Sequence, residues 1–568
     1  MKIIKLMKGL YKYIILMIIA SITQVYCELK LPNTMSDIVN NAINSLDKTY
    51  VYNNCLIMIG ITLLCLIANT IVIYSSSKFS NKYGYNIRKA LFSKINSLNK
   101  KEISSYGAST LITRSTNNVS NITSTFSFGL KLMLFAPITA IGASIMAFKV
   151  AKDLSPVIIV SASILVISIL IIFGLVFKKF ELSQKLFDDI NSKSREIISG
   201  LRIIKSFNKT KFFKKRFDKT NKDNMNLNIY LNKVLYLVQP IVSLTVNIGV
   251  VIIVYLSSNL LQKGTLEIGS MMAFIQYEGS ILMSFVMLLM IIINIPRVVI
   301  SFKRINEILN TETKSVSKNN IEIKNLESIE FSHVYYKYEK AKDYVLKDIN
   351  FKIEENEKVG IIGSSGSGKT TIINLLLRHL ELEEGNIYIN GIDIKEYSIS
   401  SLRKLFSYAP GKALLFKGTI RENLIFDNNI SDKEIMKALE IAKIDDFVLS
   451  NKEKLDFKIE QGGVNLSGGQ KQRLIIARAI LNNGKMFIFD DSFSAVDYIT
   501  DKKIRNEIKE NYKNVMQLYI SQRVSTIEDA SNIIVLDEGK IENSGTYKEL
   551  KTKSKVFKEF IKSQRKEI

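Results

Sequence analysis

The sequence is poor in the residues that build disulfide frameworks, zinc sites and imidazole-based catalysis. Its three cysteines, Cys27, Cys55 and Cys65, are an odd number and lie inside or beside apolar runs, which excludes both a disulfide framework and a zinc site. Its two histidines are His333 and His379, so an imidazole is available at very few positions. Disulfide-stabilised and zinc-dependent classes of protein are therefore excluded.

Acidic residues are also scarce relative to basic ones. The 568 residues include 78 Lys and Arg against 53 Asp and Glu, a formal charge of +25, and 47% of the chain is hydrophobic, with a mean hydropathy of +0.12. This composition is too apolar for an ordinary soluble protein. The basic excess is compatible with nucleic-acid binding, with a membrane surface or with the cytosolic loops of a membrane protein.

The chain changes character near residue 300. Long apolar stretches precede that point, whereas short apolar strands, Gly-rich turns and amphipathic helices follow from about residue 320, a pattern typical of an α/β domain. The stretch between them is polar and lacks apolar periodicity. We predict a membrane α-helical domain over 1–305, a linker over 306–325 and a second domain over 326–568.

Six apolar segments in the first half are candidate membrane spans, since about 20 apolar residues cross a bilayer. Three of them contain no charged residue over most of their length, and two contain a single one, Lys131 or Glu278. The first span is short and follows a basic start, so it also fits a cleaved signal peptide. The predicted spans are 9–28, 52–76, 126–148, 156–177, 235–257 and 271–297.

Basic residues concentrate in two of the loops between these spans. Segment 78–125 has eight Lys and Arg and segment 178–234 has fifteen, whereas the three opposite loops together have five. Positive charge favours the cytosolic side, which predicts six spans with both termini cytoplasmic and no nucleic-acid partner. Both basic segments are longer than a helix connection needs, and we expect them to continue as helices beyond the membrane.

The second half contains a phosphate-binding loop between an apolar strand and a helical pattern. The stretch "EKVGIIG" leads into "GSSGSGKTT", followed by "IINLLLRHL", the arrangement in which backbone N–H groups wrap phosphates. Lys369 can reach the β- and γ-phosphates, and the Thr370 hydroxyl can ligate Mg²⁺. The predicted ATP-binding residues are Gly363, Ser364, Ser365, Gly366, Ser367, Gly368, Lys369, Thr370 and Thr371.

A strand ending in two carboxylates follows about 120 residues later. In "KMFIFDD", Asp490 is placed to hold Mg²⁺ together with Thr370, and Asp491 is placed to face an attacking water. Next to a phosphate-binding loop, this pattern indicates a nucleoside triphosphatase of α/β fold that uses ATP and Mg²⁺.

The segment "NLSGGQKQRLIIARAI" lies between the loop and this strand, and it carries a family resemblance. Ser467, Gly468, Gly469 and Gln470 precede a helix whose N-terminus can receive an anion. With these three motifs the whole chain resembles a half-size ABC exporter, a six-helix membrane domain fused to a P-loop ATP-binding domain. The resemblance implies that these four residues complete the ATP site of a partner subunit.

The same resemblance assigns two further segments of the ATP-binding domain. Tyr338 resembles the aromatic residue that stacks on adenine, although Tyr336 or Tyr344 can also serve. The stretch "SAVD" at 494–497 resembles the loop that joins two nucleotide domains.

Three positions depart from the pattern of exporters that hydrolyse ATP well. Asp491 stands where the family usually has Glu, Gln522 where it has His, and Gly411 where it has Gln. Asp is one methylene shorter than Glu, and a misplacement of about 1 Å can slow a reaction about 10²-fold. We therefore expect a degenerate catalytic site at Asp491 and Gln522 that binds ATP but hydrolyses it slowly.

The expected function is ATP-driven export of a small amphipathic substrate, a drug or a lipid, across a bacterial plasma membrane. The degenerate site predicts a heterodimer with a competent second half-exporter; a homodimer with slow ATPase, and a nucleotide-gated channel or regulatory membrane subunit, are the alternatives. Glu278 and Lys131 are candidates for contact with the cargo, and Lys131 can equally extend to lipid headgroups.

Overall fold

The computed structural model describes most of the chain and divides it into two compact units. The first unit comprises Met1–Ser97 and Tyr106–Thr311, and the second comprises Leu98–Ser105 and Glu312–Ile568. The described residues are 2–45, 48–311, 321–338, 341–426 and 430–565.

Long α-helices make up the first unit. Within the described residues, six helical segments are long and apolar enough to cross a membrane, as the sequence predicts. In chain order the α-helices up to residue 311 are α1 (Lys2–Lys5), α2 (Tyr11–Ser45), α3 (Lys48–Asn96), α4 (Lys100–Tyr106), α5 (Ala108–Ser115), α6 (Asn117–Val150), α7 (Ser155–Ser199), α8 (Leu201–Ser206), α9 (Thr210–Tyr236), α10 (Val238–Gln262) and α11 (Ile268–Asn310); all of α4 except Tyr106 belongs to the second unit.

Three helix ends lie close to predicted span or linker boundaries. Gly9 precedes α2 with a φ of 87°, and α2 begins at Tyr11, two residues after the start of the first predicted span. Near the predicted start of the fifth span at residue 235, α9 ends at Tyr236 and α10 begins at Val238. Helix α11 continues to Asn310, five residues into the predicted linker, because Ile308 is buried. Residues 312–320 lie outside the described part.

The two long basic segments are largely helical, as expected. The first is formed by the second half of α3 and by α4 and α5, and the second by the end of α7 with α8 and α9. Along α3 the buried residues recur every three or four positions, for example Phe79, Tyr83 and Ile87, so one face packs on neighbouring helices. Gly84 lies on that face, where a Cβ would be 2.2 Å from the Thr123 methyl group of α6, and a small residue permits this close approach.

Strands and helices alternate in the second unit. Its strands are β1 (Ser328–Tyr336), β2 (Leu346–Glu354), β3 (Lys358–Gly363), β4 (Glu384–Ile389), β5 (Ile392–Asp393), β6 (Phe406–Pro410), β7 (Gly418–Thr419), β8 (Lys458–Ile459), β9 (Met486–Asp490), β10 (Met516–Ser521), β11 (Asn532–Asp537) and β12 (Lys540–Gly545). Its helices are α12 (Lys369–Leu376), α13 (Ile399–Lys404), α14 (Ile420–Leu424), α15 (Asp432–Ile441), α16 (Asp445–Ser450), α17 (Gly468–Leu481), α18 (Tyr498–Asn511), α19 (Val524–Ile527), α20 (Tyr547–Lys553) and α21 (Lys555–Arg565).

The central sheet has the strand order β12-β11-β3-β10-β9-β6. All of its strands except β12 run parallel to their neighbours, and β3, β9 and β10 are almost wholly buried. A second, antiparallel sheet has the order β2-β1-β4-β5. Because parallel strands end at one edge, the segments that follow β3, β10, β9 and β6 are neighbours.

Buried charges connect the start of β3 with α18. Arg505 bonds Asp501 at 2.7 Å, with both side chains almost fully buried, and also lies 3.5 Å from Asp529. Lys358 pairs with Asp529 at 2.6 Å and lies 4.6 Å from the centre of the Tyr519 ring. Burial lowers the pKa of Lys358, and the carboxylate of Asp529 opposes that effect. Each buried charge therefore has an opposite charge beside it.

Candidate nucleotide-binding site

The loop after β3 has the backbone geometry of a phosphate cradle. Gly366 and Gly368 adopt φ values of 88° and 103°, which residues with a Cβ rarely adopt. At Gly368 a Cβ would also lie 2.5 Å from a Leu346 methyl group. Helix α12 begins directly after this glycine, so its free N–H groups and dipole face the loop.

A cavity of about 360 Å³ opens at this edge of the central sheet. Ten of the residues predicted for the site line it, and the sequence-based analysis missed two others, Val345 and Ile520. The lining residues are Tyr338, Val345, Ser365, Gly366, Gly368, Lys369, Thr370, Thr371, Asp490, Asp491, Ile520 and Gln522. Gly363, Ser364 and Ser367 belong to the same loop but do not line the cavity.

Lys369 is buried and folded back onto its own loop. Its ammonium group donates to the carbonyl oxygens of Gly363 at 2.8 Å and Ser364 at 2.7 Å. Burial lowers the pKa of Lys369, and the carboxylates of Asp491 and Asp490 oppose that effect. The lysine is thus held at the floor of the cavity, where an anionic ligand would stabilise its charge.

Asp490 and Thr370 form an oxygen-rich corner of the cavity. The Thr370 hydroxyl lies 3.5 Å from one carboxylate oxygen of Asp490, and the Tyr408 hydroxyl donates to the other at 3.2 Å. Burial raises the pKa of Asp490, which a nearby divalent cation would reverse. A carboxylate beside a hydroxyl fits Mg²⁺, which takes few protein ligands and otherwise binds water and phosphate. The sequence-based analysis missed Tyr408, an aromatic residue of β6.

Asp491 and Gly411 are close neighbours. Asp491 has a φ of 53°, a left-handed conformation that Asp adopts more readily than most residues, and burial raises its pKa. At Gly411 a Cβ would lie 2.6 Å from the backbone oxygen of Asp490 and 3.3 Å from the Asp491 Cβ. Position 411 therefore has no room for a side chain in this conformation.

Gln522 lines the cavity, and its backbone is held by the C-terminal helix α21. The Gln564 amide donates to the Gln522 carbonyl at 2.6 Å and accepts from the Val524 N–H at 2.9 Å. Between these two residues, Arg523 donates to the carbonyls of Ser494 at 2.8 Å and Val496 at 3.1 Å. Residues 522–524 therefore contact the cavity, the 494–497 loop and helix α21. No sequence motif indicated that Gln564 takes part in these contacts.

Tyr338 is the only one of the three candidate tyrosines that lines the cavity in the described structure. It is 43% exposed, and its hydroxyl lies 3.2 Å from that of Thr371. Tyr336 is buried and meets the Tyr338 ring edge to face, with centroids 5.2 Å apart. The Tyr344 hydroxyl donates to Glu384 at 2.8 Å instead. An exposed ring at the rim of the cavity can stack on a flat base.

The segment with the sequence LSGGQ starts helix α17 away from the cavity lining. Ser467 caps the helix: its hydroxyl accepts from the Gln470 N–H at 3.2 Å, and the Gln470 side chain accepts from the Ser467 N–H at 2.8 Å. Ser467 and Gly468 are exposed. The helix N-terminus is therefore preformed and accessible, as binding an anion from another molecule requires.

Comparison with known proteins agrees with this architecture. Residues 14–286 match the model of the ABC transporter transmembrane region, and residues 346–494 match that of the ABC transporter. YfiB of Bacillus subtilis, an uncharacterized ABC transporter ATP-binding protein, is 30% identical over 96% of this chain and 95% of its own length.

Two further comparisons extend the match. The Bacillus subtilis protein named "Probable multidrug resistance ABC transporter ATP-binding/permease protein YheI" is 30% identical over 80% of this chain and 78% of its own. The solved structure of a bacterial Atm1-family ABC exporter with ATP bound has the same fold, with a TM-score of 0.81, 20% identity and 98% of both chains covered. The chain belongs to the ABC transporter family, as a half-size exporter with a multi-pass membrane region and an ATP-binding domain.

Proposed function

We propose that the chain is the degenerate-site subunit of a heterodimeric exporter for small amphipathic compounds. The main observation is the contrast between its two nucleotide-binding surfaces. Asp491 and Gln522 line the cavity, and Gly411 approaches Asp490 too closely for a side chain. Ser467 and Gly468, by contrast, are intact and exposed at a helix N-terminus.

The residues of the cavity have distinct parts in this proposal. The backbone of the glycine loop and Lys369 would hold the phosphates of ATP, and Thr370 and Asp490 would hold Mg²⁺. Bound Mg-ATP supplies the phosphoanhydride and neutralises its charge. Asp491 keeps a carboxylate near the position of the water, but its side chain is short, so it orients water poorly. ATP held here acts mainly to keep two nucleotide domains closed.

The exported compound is expected to be a drug or a lipid. A relative named for multidrug resistance supports the drug class, and the apolar membrane helices suit an amphipathic compound. To drive export, ATP must favour the closed state strongly, by about 5.5 kcal/mol to convert a 1:99 equilibrium into 99:1.

Two substitutions in the co-expressed complex with a competent half-exporter test the proposal. Ser467→Arg places bulk and charge at the partner's ATP site and should abolish most ATPase and transport activity. Asp491→Asn should reduce both far less, because the site that it serves is already slow. Equal damage from the two substitutions would favour the homodimer, and ATPase without uphill vesicular transport would favour the channel or regulatory subunit.

A further inference from the structure

Glu278 is a wholly buried carboxylate in the membrane region, on helix α11. The Ser161 hydroxyl of α7 donates to its Oε1 atom at 3.0 Å. Its Oε2 atom is buried without a hydrogen-bond partner among the described residues. A charged carboxylate in such surroundings is disfavoured by several kcal/mol unless a positive charge comes to it.

The carboxylate group lies against the backbone of Gly249 on α10. A Cβ at Gly249 would be 2.1 Å from Oε1 and 3.0 Å from Oε2 of Glu278. Any larger residue would therefore have to displace the carboxylate. Three helices thus surround this carboxyl group. Helix α11 carries Glu278, α7 supplies the hydrogen-bond donor Ser161, and α10 supplies Gly249, whose missing side chain leaves room for the carboxyl group.

An apolar cavity of about 430 Å³ lies between α7 and α10 on the other side of this position. Ser161 and Gly249, the two residues that touch the carboxylate, also line the cavity. The rest of its wall is almost entirely aliphatic and includes Val160, Leu244 and Ile248. The cavity is therefore almost wholly apolar, and two of its lining residues touch a buried acidic side chain.

The other charged residue predicted within a span has a different environment. The Lys131 ammonium group on α6 donates to the Asn69 side chain on α3 at 3.0 Å. Lys131 is thus engaged elsewhere, and in the described structure no basic side chain forms an ion pair with Glu278. Within the described residues, no basic side chain would compete with a bound cation for the Glu278 carboxylate, whose Oε2 atom has no partner there.

We propose that Glu278, Ser161 and Gly249 form a recognition site for lipophilic cations. The apolar body of the cation occupies the α7–α10 cavity, and its charge lies beside Ser161 and Gly249, the two lining residues that touch the Glu278 carboxylate. The substrate class is therefore a delocalised or quaternary organic cation. The inference rests on the proposed export function, because it names the compounds that the exporter would carry.

Direct binding to the full chain in lipid nanodiscs tests the site. The probes are tetraphenylphosphonium, a lipophilic cation, and triphenylphosphine oxide, a neutral relative of it. Glu278→Gln should weaken binding of the cation by at least about tenfold, because a desolvated charge pair is lost, and should leave binding of the neutral probe within about twofold. Equal affinity of parent and variant for the cation, or equal loss for both probes, would overturn the proposal.

Two glycine variants separate the site from general packing. Gly249→Ala should weaken cation binding as strongly as Glu278→Gln, because the added Cβ displaces the carboxylate. Gly174→Ala on α7 is the matched control, since nothing lies within 4 Å of a Cβ there, and it should bind as the parent does. If Glu278→Gln fails to fold, Ser161→Ala replaces it, with a smaller loss for the cation alone, and unchanged cation binding in Ser161→Ala would overturn the proposal.

The outcome for export is measured separately on the complex with the partner subunit. ATP-driven uptake of tetraphenylphosphonium into inverted vesicles should be lost in Glu278→Gln while uptake of neutral amphipaths continues. If the parent complex transports neither kind of compound although the cation binds through Glu278, the export proposal fails and the binding site stands. If it transports both and the variant does so equally, the site fails and export stands.

Discussion

Placing the family's usual glutamine at position 411 should damage this protein rather than repair it. In the structure a Cβ at Gly411 would lie 2.6 Å from the backbone oxygen of Asp490, whereas ordinary contacts begin at 3.4 Å. The obstacle is a strand carbonyl, since Asp490 ends β9 and pairs with Pro410 of β6. The Gly411 carbonyl is also held, because the Gln472 amide donates to it at 3.2 Å.

The size of the effect follows from the missing space. Separating the two atoms from 2.6 to 3.4 Å requires a shift of 0.8 Å, and overpacking of this kind destabilises a fold by about 1–3 kcal/mol. This shift would displace both Asp490 and Asp491 from their present positions in the cavity. Because about 1 Å of misplacement can reduce a rate about 10²-fold, we expect weaker Mg-dependent ATP binding and slower turnover at this site.

Three variants of the full chain measure this effect. Gly411→Gln and Gly411→Ala should lower the thermal unfolding midpoint and the affinity for Mg-ATP about equally, since the Cβ causes the collision. Lys412→Gln is the control, because it places the same side chain at the exposed neighbouring position and should behave as the parent does. Faster ATP hydrolysis in Gly411→Gln with an unchanged unfolding midpoint would refute the reasoning.

Three further predictions concern contacts within the ATP-binding domain. Gln564→Ala, which removes both hydrogen bonds to the 522–524 segment, should weaken Mg-ATP binding by this chain several-fold with little change in the unfolding midpoint; a lowered midpoint with unchanged Mg-ATP affinity would indicate a purely structural role. Asp501→Asn should lower the free energy of unfolding in urea by about 3 kcal/mol, because Arg505 loses its nearest buried partner; a loss under about 1 kcal/mol would contradict this. Burial raises the pKa of Asp529, but pairing with Lys358 outweighs that effect, so the pKa lies below its usual value. The contribution of this pair to the stability of the fold is therefore complete above the unfolded-state pKa of about 4, and it disappears as the pH falls through the folded-state pKa. The unfolding midpoint should therefore fall on acidification, and less steeply in Asp529→Asn; parallel pH profiles would argue against the pairing.

Much of the architecture could be predicted because its signals are local. An uncharged run such as 156–177 must avoid water wherever it folds, and helix α7 contains all of it. The residues of the loop from Gly363 to Thr371 are consecutive in the sequence, and so are the carboxylates at 490 and 491. Both segments follow parallel strands of one sheet, which brings them together at its edge. The exact helix ends depend on packing as well: Ile308 is buried near the end of α11, and α9 and α10 are separate helices.

The sequence by itself determined the family and the two regions and predicted the candidate nucleotide-binding residues, because each depends on composition or on residues close together in the chain. Only the tertiary structure decided what distant residues do to one another. Three contacts between different elements illustrate this: Gly411 lies against Asp490, Gln564 donates a hydrogen bond to the Gln522 backbone, and Glu278 lies against Gly249. Such contacts arise from close packing of backbone and side chains, and no local pattern in the sequence records them.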